Sequence, residues 1–161
     1  MKSDIPKTQS RLTLKSMFVH MMENGYQPVF ENDNIQFEIG DDTAVVEHKE
    51  DILSVRLFYT IDEDEYDLFL EASNMAMLKT SAVKIAVLDN MTDLMFSCEC
   101  MCEDIRDFKR FLPMAVTRLK EALHIHKEEM RRLIFATGVA SATIPATEGS
   151  MAGIGKRKII S

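Results

Sequence analysis

The sequence predicts an α+β protein, a two-layer sandwich in which three helices cover one face of an antiparallel sheet. Two observations support this class. Apolar residues recur at helical spacing near the start, in the middle and near the end of the chain. Between these segments, short runs alternate between apolar and polar residues and are joined by turn-forming clusters, which is typical of hairpins covered on one side. The predicted order of elements is α-β-β-β-β-α-β-β-α.

The first helix is predicted from about Ser10 to Asn24. Its apolar stripe consists of Leu14, Met17, Phe18, Met21 and Met22. These residues follow the three- and four-residue spacing of a single helical face. Gly25 comes directly afterwards, where a residue with left-handed backbone conformation would end the helix.

Four strands are predicted next, at about residues 27–31, 34–40, 43–49 and 52–60. Apolar and polar residues alternate along most of them, as in the run Ile35, Phe37 and Ile39. The runs are separated by clusters of Asn, Asp, Gly, Lys and Glu, which favour tight turns. Consecutive strands should therefore pair as antiparallel hairpins.

The second half of the domain starts with a helix from Asp62 to about Leu78, which opens on acidic residues that a helix N-terminus favours. Two strands are predicted at about 82–88 and 93–102, and the last helix begins near Asp104. Pro113 lacks a backbone donor and clashes with the preceding turn. We therefore expect a kink or a restart of this helix near Phe111.

Length and composition indicate one domain. The 161 residues suit a single core, and the composition after Phe135 changes to mostly Ala, Gly, Ser and Thr, which bury too little apolar surface to order a chain. The predicted division is a flexible N-terminus at residues 1–9, a single α+β domain at residues 10–135 and a flexible tail at residues 136–161.

The charge of the chain narrows the class of partner. The formal net charge is −7, and because the tail holds Glu148 against Lys156, Arg157 and Lys158, the rest of the chain carries −9. A negative body repels phosphate, so we expect no nucleic-acid partner. No apolar run approaches the roughly 20 residues that cross a bilayer, so we expect no membrane partner. The absence of an apolar leader and the three clustered cysteines indicate a reduced, cytoplasmic protein.

Catalytic signatures are absent from the sequence. It contains no GxSxG turn, no phosphate-binding GxxxxGK[ST] loop and no GxGxxG after a strand. His124 and His126 lie two positions apart on a helix and so point in different directions, whereas a chelating pair would be three or four apart. We expect a protein that is not an enzyme and that needs no cofactor, with no catalytic or cofactor-binding residues.

The alternating cysteines form the most distinctive motif. Cys98, Cys100 and Cys102 should emerge on one strand face together with Leu94 and Phe96. Free cysteine often fills a core, and structural zinc usually needs a second ligand pair that this chain lacks. Same-face neighbours lie roughly 6–7 Å apart along a strand, too far for an undistorted disulfide. Core packing is therefore the preferred interpretation, and a metal or redox site is the alternative.

A possible partner surface lies on the other face of the sheet. Val45, Phe58, Met95 and Met101 occupy positions whose neighbours on the same face are mostly polar. If they cluster, they form an apolar patch within a polar rim, as at a partner or dimer surface. If they are scattered singly, they need no functional explanation.

The order of elements also resembles a known family. The stretch EASNMAMLKTSAVKIAVLDNMTDLMFSCECMCEDIRDFKRFLPMAVTRL, preceded by IQFEIGDDTAVV, joins a helix, a hairpin and a long final helix. It resembles the YbjN-like family, proteins proposed to be bacterial sensory-transduction regulators, which is similar in fold to the class I type III secretion chaperones. The resemblance covers roughly Ser10 to Arg132. It implies an α+β sandwich, no known catalytic residues or cofactor, and action through protein partners, often as dimers.

Together these observations predict a non-enzymatic protein-binding module, a regulator or a chaperone-like protein, that buries an apolar segment of an unidentified protein partner. Homodimerisation through a similar surface is a further expectation. The alternative function is a thiol-dependent metal or redox protein that uses Cys98, Cys100 and Cys102.

Overall fold

Two-residue turns join the first four strands into a meander. The structure, a computed structural model, describes residues 11–138 and the backbone of residues 155–156. The strands are β1 (Val29–Glu31), β2 (Asn34–Ile39), β3 (Asp42–Lys49) and β4 (Ile52–Thr60). Each pairs antiparallel with the next. At Asn32-Asp33 and Glu50-Asp51 both turn residues have positive φ, as in the turns whose twist matches that of the strands they connect.

Three helices and two further strands complete the domain. They are α1 (Leu14–Glu23), α2 (Tyr66–Lys79), β5 (Val83–Val87), β6 (Asp93–Met101) and α3 (Ile105–Thr137). Thr13 and Ser16 cap the start of α1 with reciprocal side-chain bonds to the backbone. Gly25 follows α1 with a φ of +79°, in the left-handed region expected from the sequence. A single 3-10 turn, Glu63–Glu65, leads into α2.

The sheet has the strand order β1-β2-β3-β4-β6-β5. At its centre β4 pairs with β6, antiparallel, from Ile52 opposite Met101 to Thr60 opposite Asp93. A further short strand, β7 (Gly155–Lys156), pairs with the end of β4. The predicted α+β class and the predicted order of elements are confirmed.

The core lies between the sheet and the helices. Alternate residues of the strands are fully or almost fully buried, among them Ile35, Phe37, Val46, Leu53, Val55, Leu57, Leu94, Phe96 and Cys98. α1 packs against β2, α2 against β5, and α3 against the three strands β4, β5 and β6. The helices therefore cover one face of the sheet, and the two-layer sandwich is confirmed.

The expected restart of the last helix is wrong. α3 is continuous over 33 residues with Pro113 inside it. Pro113 is exposed, whereas Phe111, Leu112 and Ala115 around it are buried against the sheet. Tertiary packing on the buried side stabilises the helix more than the missing backbone hydrogen bond destabilises it.

Two other details differ from the sequence predictions. Met22, placed in the buried stripe of α1, is 59% exposed, while Met17 and Met21 are fully buried. α3 ends at Thr137 and is closed by Gly138, whose φ is +71°, two residues past the predicted end of the domain. The predicted flexible N-terminus and most of the predicted tail lie outside the described residues.

Candidate functional site: the open face of the sheet

The face of the sheet that the helices leave uncovered, named the open face, carries the candidate site. On β4 its residues are Ser54, Arg56 and Phe58, which alternate with the core residues of the same strand. The strand register places Arg56 between Val45 of β3 and Ser97 of β6. Side chains that were separated along the sequence thus form continuous rows across four strands.

A charged network occupies the middle of the open face. The guanidinium of Arg56 donates to Glu47 Oε2 at 3.5 Å, to Ser97 Oγ at 3.3 Å and to Glu99 Oε1 at 3.2 Å. Lys84 reaches the same Glu99 oxygen at 3.4 Å. The network joins side chains of β3, β4, β5 and β6, so it fixes their orientation across the sheet.

Glu99 is the acceptor at the centre of this network. The Ser97 hydroxyl donates to it at 2.9 Å. This bond, followed by those from Arg56 and Lys84, lowers the pKa of the Glu99 carboxyl below its usual value, although partial burial opposes the change. The carboxylate is therefore ionised at neutral pH, and its charge is matched by the two cations. Exposed ion pairs stabilise little individually, so the effect of the network is to hold a defined charge pattern.

An apolar row lies next to the charged network. Phe58 of β4 is directly opposite Met95 of β6, which is opposite Ala86 of β5. Phe58 and Met95 are both partly exposed. Val45 is the strand neighbour of Arg56, which places it roughly 7–8 Å diagonally from Phe58. The structure therefore brings together three of the four predicted partner-binding residues, but Val45 is buried, at 5% exposure, so Phe58 and Met95 are the accessible ones.

Met101, the fourth predicted residue, lies elsewhere. It is three same-face steps along β6 from Met95, roughly 20 Å away, on the far side of the charged network. There it is 68% exposed and pairs with Ile52, which is also exposed. The open face thus has a larger apolar row at one end, a charged centre and a small apolar pair at the other end.

The three cysteines lie on the helix-covered face. Cys98 and Cys102 are fully buried in the core, and Cys100 is partly buried against it. Burial is the first cause that raises the pKa of each thiol, and it raises that of Cys98 to about 11. The thiols are therefore protonated at neutral pH, which disfavours nucleophilic and metal-binding chemistry. Their expected position under the helices is confirmed.

Two of the thiol groups lie close together. Cys100 Sγ and Cys102 Sγ are 3.3 Å apart, whereas residues two positions apart along a strand are separated by roughly 6–7 Å. Just beyond the end of β6, His48 Nε2 contacts the Cys102 carbonyl oxygen at 2.9 Å. Within residues 11–138 and 155–156, no group of three or more His, Cys, Asp or Glu side chains could hold a metal ion.

A buried polar cluster between α2 and α3 was not found from the sequence. His126 is completely buried, with Nε2 at 3.1 Å from Ser73 Oγ, and its ring packs edge-on against Phe96. One turn further along α3, the buried Glu129 binds Lys79 and Arg132. The partner of His126 lies on another helix, so no spacing in the sequence indicated it.

The surface of α1 and β1 carries a further apolar group. Phe18 stacks on Phe30 with ring centroids 4.2 Å apart. Phe30, Val29 and Met22 are each more than half exposed. This surface adjoins β1, which is an edge strand of the sheet. The alternation of apolar and polar residues does not show which strand lies at the edge, so the sequence did not indicate this surface.

Comparison with known proteins identifies the fold. None of the described helices is both long enough and apolar enough to span a bilayer. No protein-family model matches the chain, and no curated protein matches its sequence. The crystal structure of YbjN from E. coli, proposed to be a transcription regulator, superposes with a TM-score of 0.59 over 69% of this chain and 88% of YbjN, at 8% identity. At this identity the likeness is one of fold, and the chain has the YbjN fold that its sequence suggested.

Proposed function

We propose that the chain is a non-catalytic protein-binding module, a regulator or a chaperone-like protein, that buries an apolar segment of a partner protein on the open face. The observation that carries the proposal is the cross-strand pair of Phe58 and Met95, with Val45 beside it, on a sheet face that no described helix covers. A partly exposed aromatic residue with a flexible methionine next to it is a suitable anchor for a partner.

The charged network adds selectivity to this surface. A partner segment that covers Phe58 and Met95 reaches Arg56 and Glu99, whose positions are fixed by their mutual hydrogen bonds. Matching charges on the partner would set its register, since like charges placed together are costly. Because both side chains are already partly buried, covering them would contribute less than the roughly 1.5–3 kcal/mol each that full burial of an exposed side chain gives.

A protein partner also agrees with the charge of the chain. YbjN is proposed to be a transcription regulator, and a regulator can act on DNA directly or through another protein. This chain has a net charge of −7, and the charged centre of its open face contains two carboxylates for its two cations. Such a surface favours contact with a protein over contact with phosphate.

Substitution of the anchor residues tests the proposal. The tagged chain is used to isolate partners from its native host, and the affinity of the main purified partner is then measured for Phe58→Glu and Met95→Glu. Each substitution places a charge in the apolar row, so the dissociation constant should rise by about tenfold or more, which corresponds to about 1.4 kcal/mol. Light scattering of the same variants tests whether a homodimer uses this face.

Leu78→Glu is the matched control. Leu78 is an exposed apolar residue of α2, 80% accessible and away from the open face, so the same substitution there should leave partner affinity unchanged. Equal affinity of all three variants and the wild type, with each protein folded by circular dichroism, would refute the role of the open face.

A redox role is the second candidate, and the short distance between Cys100 Sγ and Cys102 Sγ favours it. Oxidised glutathione would take two electrons from the two thiols, leaving a disulfide and two molecules of glutathione. The raised pKa of both thiols slows this reaction. A loss of two mass units within minutes at neutral pH, absent in Cys100→Ser, would support the redox role, and no loss over hours would exclude it. Elemental analysis of the reduced protein tests the metal alternative.

A further inference from the structure

A groove separates α1 from the first turns of α3. The two helices start side by side, because Leu12 N donates to the Glu103 carbonyl oxygen at 3.0 Å just before both of them begin. The groove, named the α1–α3 groove, has a volume of about 390 Å³, and sites for small ligands usually measure roughly 300–1,000 Å³. Both helices pack on the covered face of the sheet, so the groove lies away from the open face. Its lining includes Lys15, Val19, His20, Glu23, Ile105 and Lys109.

Three of the lining side chains carry nitrogen donors. Lys15 and Lys109 are exposed, and neither forms a salt bridge within the described part of the chain. Burial, followed by the positive charge of Lys109, lowers the pKa of His20, although Glu23 opposes the change. The imidazole of His20 is therefore neutral at neutral pH, and the ammonium group of Lys109 acts on it across the groove.

Contacts on two sides hold the ring of His20. The side-chain amide nitrogen of Asn24, which can only donate, lies 3.1 Å from His20 Nδ1 and donates to the His20 carbonyl oxygen at 2.8 Å. Nδ1 therefore accepts, and the proton of the neutral ring is on Nε2. The ring also packs edge-on against Phe108, with centroids 5.8 Å apart. The orientation of the ring is thus fixed, and Nε2 is its remaining donor.

The groove also has an apolar part. Val19 is 44% exposed, and Ile105 is partly buried against the core. The hydroxyl groups of Thr13 and Ser16 bind each other and the backbone at the start of α1, so they are not needed as ligand groups. Polar donors beside an apolar wall are typical of sites for small organic molecules.

We propose that the α1–α3 groove binds a small phosphate monoester that carries an apolar group. Lys15, Lys109 and Nε2 of His20 donate to the phosphate. The apolar group of the ligand packs against Val19 and Ile105. Lysine ammonium groups act as point charges with rotatable donors and suit a tetrahedral anion, whereas a planar carboxylate is best matched by arginine.

The negative charge of the chain does not prevent this binding. The net charge of −7 repels a long polyanion, but at physiological ionic strength exposed charges more than roughly 8 Å apart are largely screened. A single phosphate therefore responds mainly to the cations of the groove. The proposal uses a different surface from the open face, so it holds or fails independently of the proposed protein partner.

Nuclear magnetic resonance of the full chain tests the proposal, since the ring protons of its four histidines can be followed separately. Phenyl phosphate is titrated at pH 7, with the ionic strength kept constant by chloride. His20 should show a saturable change of chemical shift with a dissociation constant of roughly 1 mM, while His48 and His124, outside the groove, should not. Inorganic phosphate should bind several-fold more weakly because it lacks the apolar group, and phenol should not bind.

Substitution of the two lysines tests their role. Lys15→Gln and Lys109→Gln should each raise the dissociation constant about fivefold, the upper value for an exposed charge pair. The double variant should show no saturation over the same concentrations. Lys49→Gln combined with Lys120→Gln is the matched control, because it removes the same charge at exposed positions outside the groove, and it should bind as the wild type does.

Three results would overturn the proposal. The first is a chemical shift of His20 that does not saturate, and the second is equal binding by the wild type and the double variant of Lys15 and Lys109. The third is equal binding of phenol and phenyl phosphate, since the phosphate would then contribute nothing. Equal binding of inorganic phosphate and phenyl phosphate would overturn the assigned role of Val19 and Ile105.

Discussion

The buried His126 should make the fold sensitive to mild acid. Its ring is completely buried between α2 and the sheet and its Nε2 contacts Ser73 Oγ, while its Nδ1 has no hydrogen-bond partner among the described residues. Burial lowers the pKa of this imidazole from 6.5 to about 4, although Glu129 on the same helix opposes the change. The folded protein therefore holds His126 neutral over a pH range in which the unfolded chain protonates it.

The sign and size of the effect follow from proton linkage. Above pH 6.5 the imidazole of His126 is mostly neutral in both the folded and the unfolded state, so it does not lower the free energy of unfolding. As the pH falls below 6.5 the unfolded state binds a proton that the folded state does not, so the free energy of unfolding falls by about 1.4 kcal/mol per pH unit until about pH 4. Between pH 7 and pH 4.5 this histidine alone should cost about 2.5 kcal/mol.

Urea unfolding at pH 7 and pH 4.5 measures this cost against His126→Gln, which cannot titrate. The wild type should lose about 2.5 kcal/mol more than the variant between the two pH values. Protonation of carboxylates whose pKa is lowered in the folded state, such as Glu99, also lowers the free energy of unfolding in acid, but this effect is common to the wild type and the variant. Ser73→Ala serves as the packing control, since it weakens the same site and keeps the titrating ring. Equal losses in the wild type and His126→Gln would refute the reasoning.

Three substitutions test other parts of the fold, each by urea or thermal unfolding. Phe96→Ala should lower the free energy of unfolding by about 3–5 kcal/mol because it empties the centre of the core, and a loss below about 1 kcal/mol would contradict that position. Pro113→Ala should raise stability by about 2–3 kcal/mol, since it restores a backbone donor inside a continuous helix; an unchanged midpoint would mean that the helix has already accommodated the proline. Gly40→Ala should cost about 1 kcal/mol because φ there is +63°, and a neutral result would show that the β2–β3 turn relaxes.

The order of elements could be predicted because its signals are local. Gly25 ends α1 and the Asn32-Asp33 pair turns the chain between β1 and β2 through backbone preferences of residues adjacent in sequence. The alternation along each strand likewise reports which face is buried. The effect of Pro113 could not be predicted in the same way, because the contacts that keep α3 continuous against the sheet come from residues distant in the chain.

The site was predictable only in part for the same reason. The alternation of side chains along each strand predicted that Phe58 and Met95 lie on the same face. Their direct pairing, however, depends on the register of two strands that are not consecutive. That register also determines that Met101 stays apart from them. The contact of His126 with Ser73 joins positions 53 residues apart, and nothing in the local pattern of either helix indicates it.

The central pairing of β4 with β6 has a consequence for how the protein assembles. Strands β1 to β4 form consecutive hairpins closed by tight turns, so their contacts are local in sequence. After α2, β5 and β6 form a second local hairpin. The nine residue pairs between β4 and β6 are the step that closes a long loop, and such steps are slow. A cut near Asp62 would therefore separate the two central strands, leaving β4 as a free edge on one fragment and β6 as a free edge on the other.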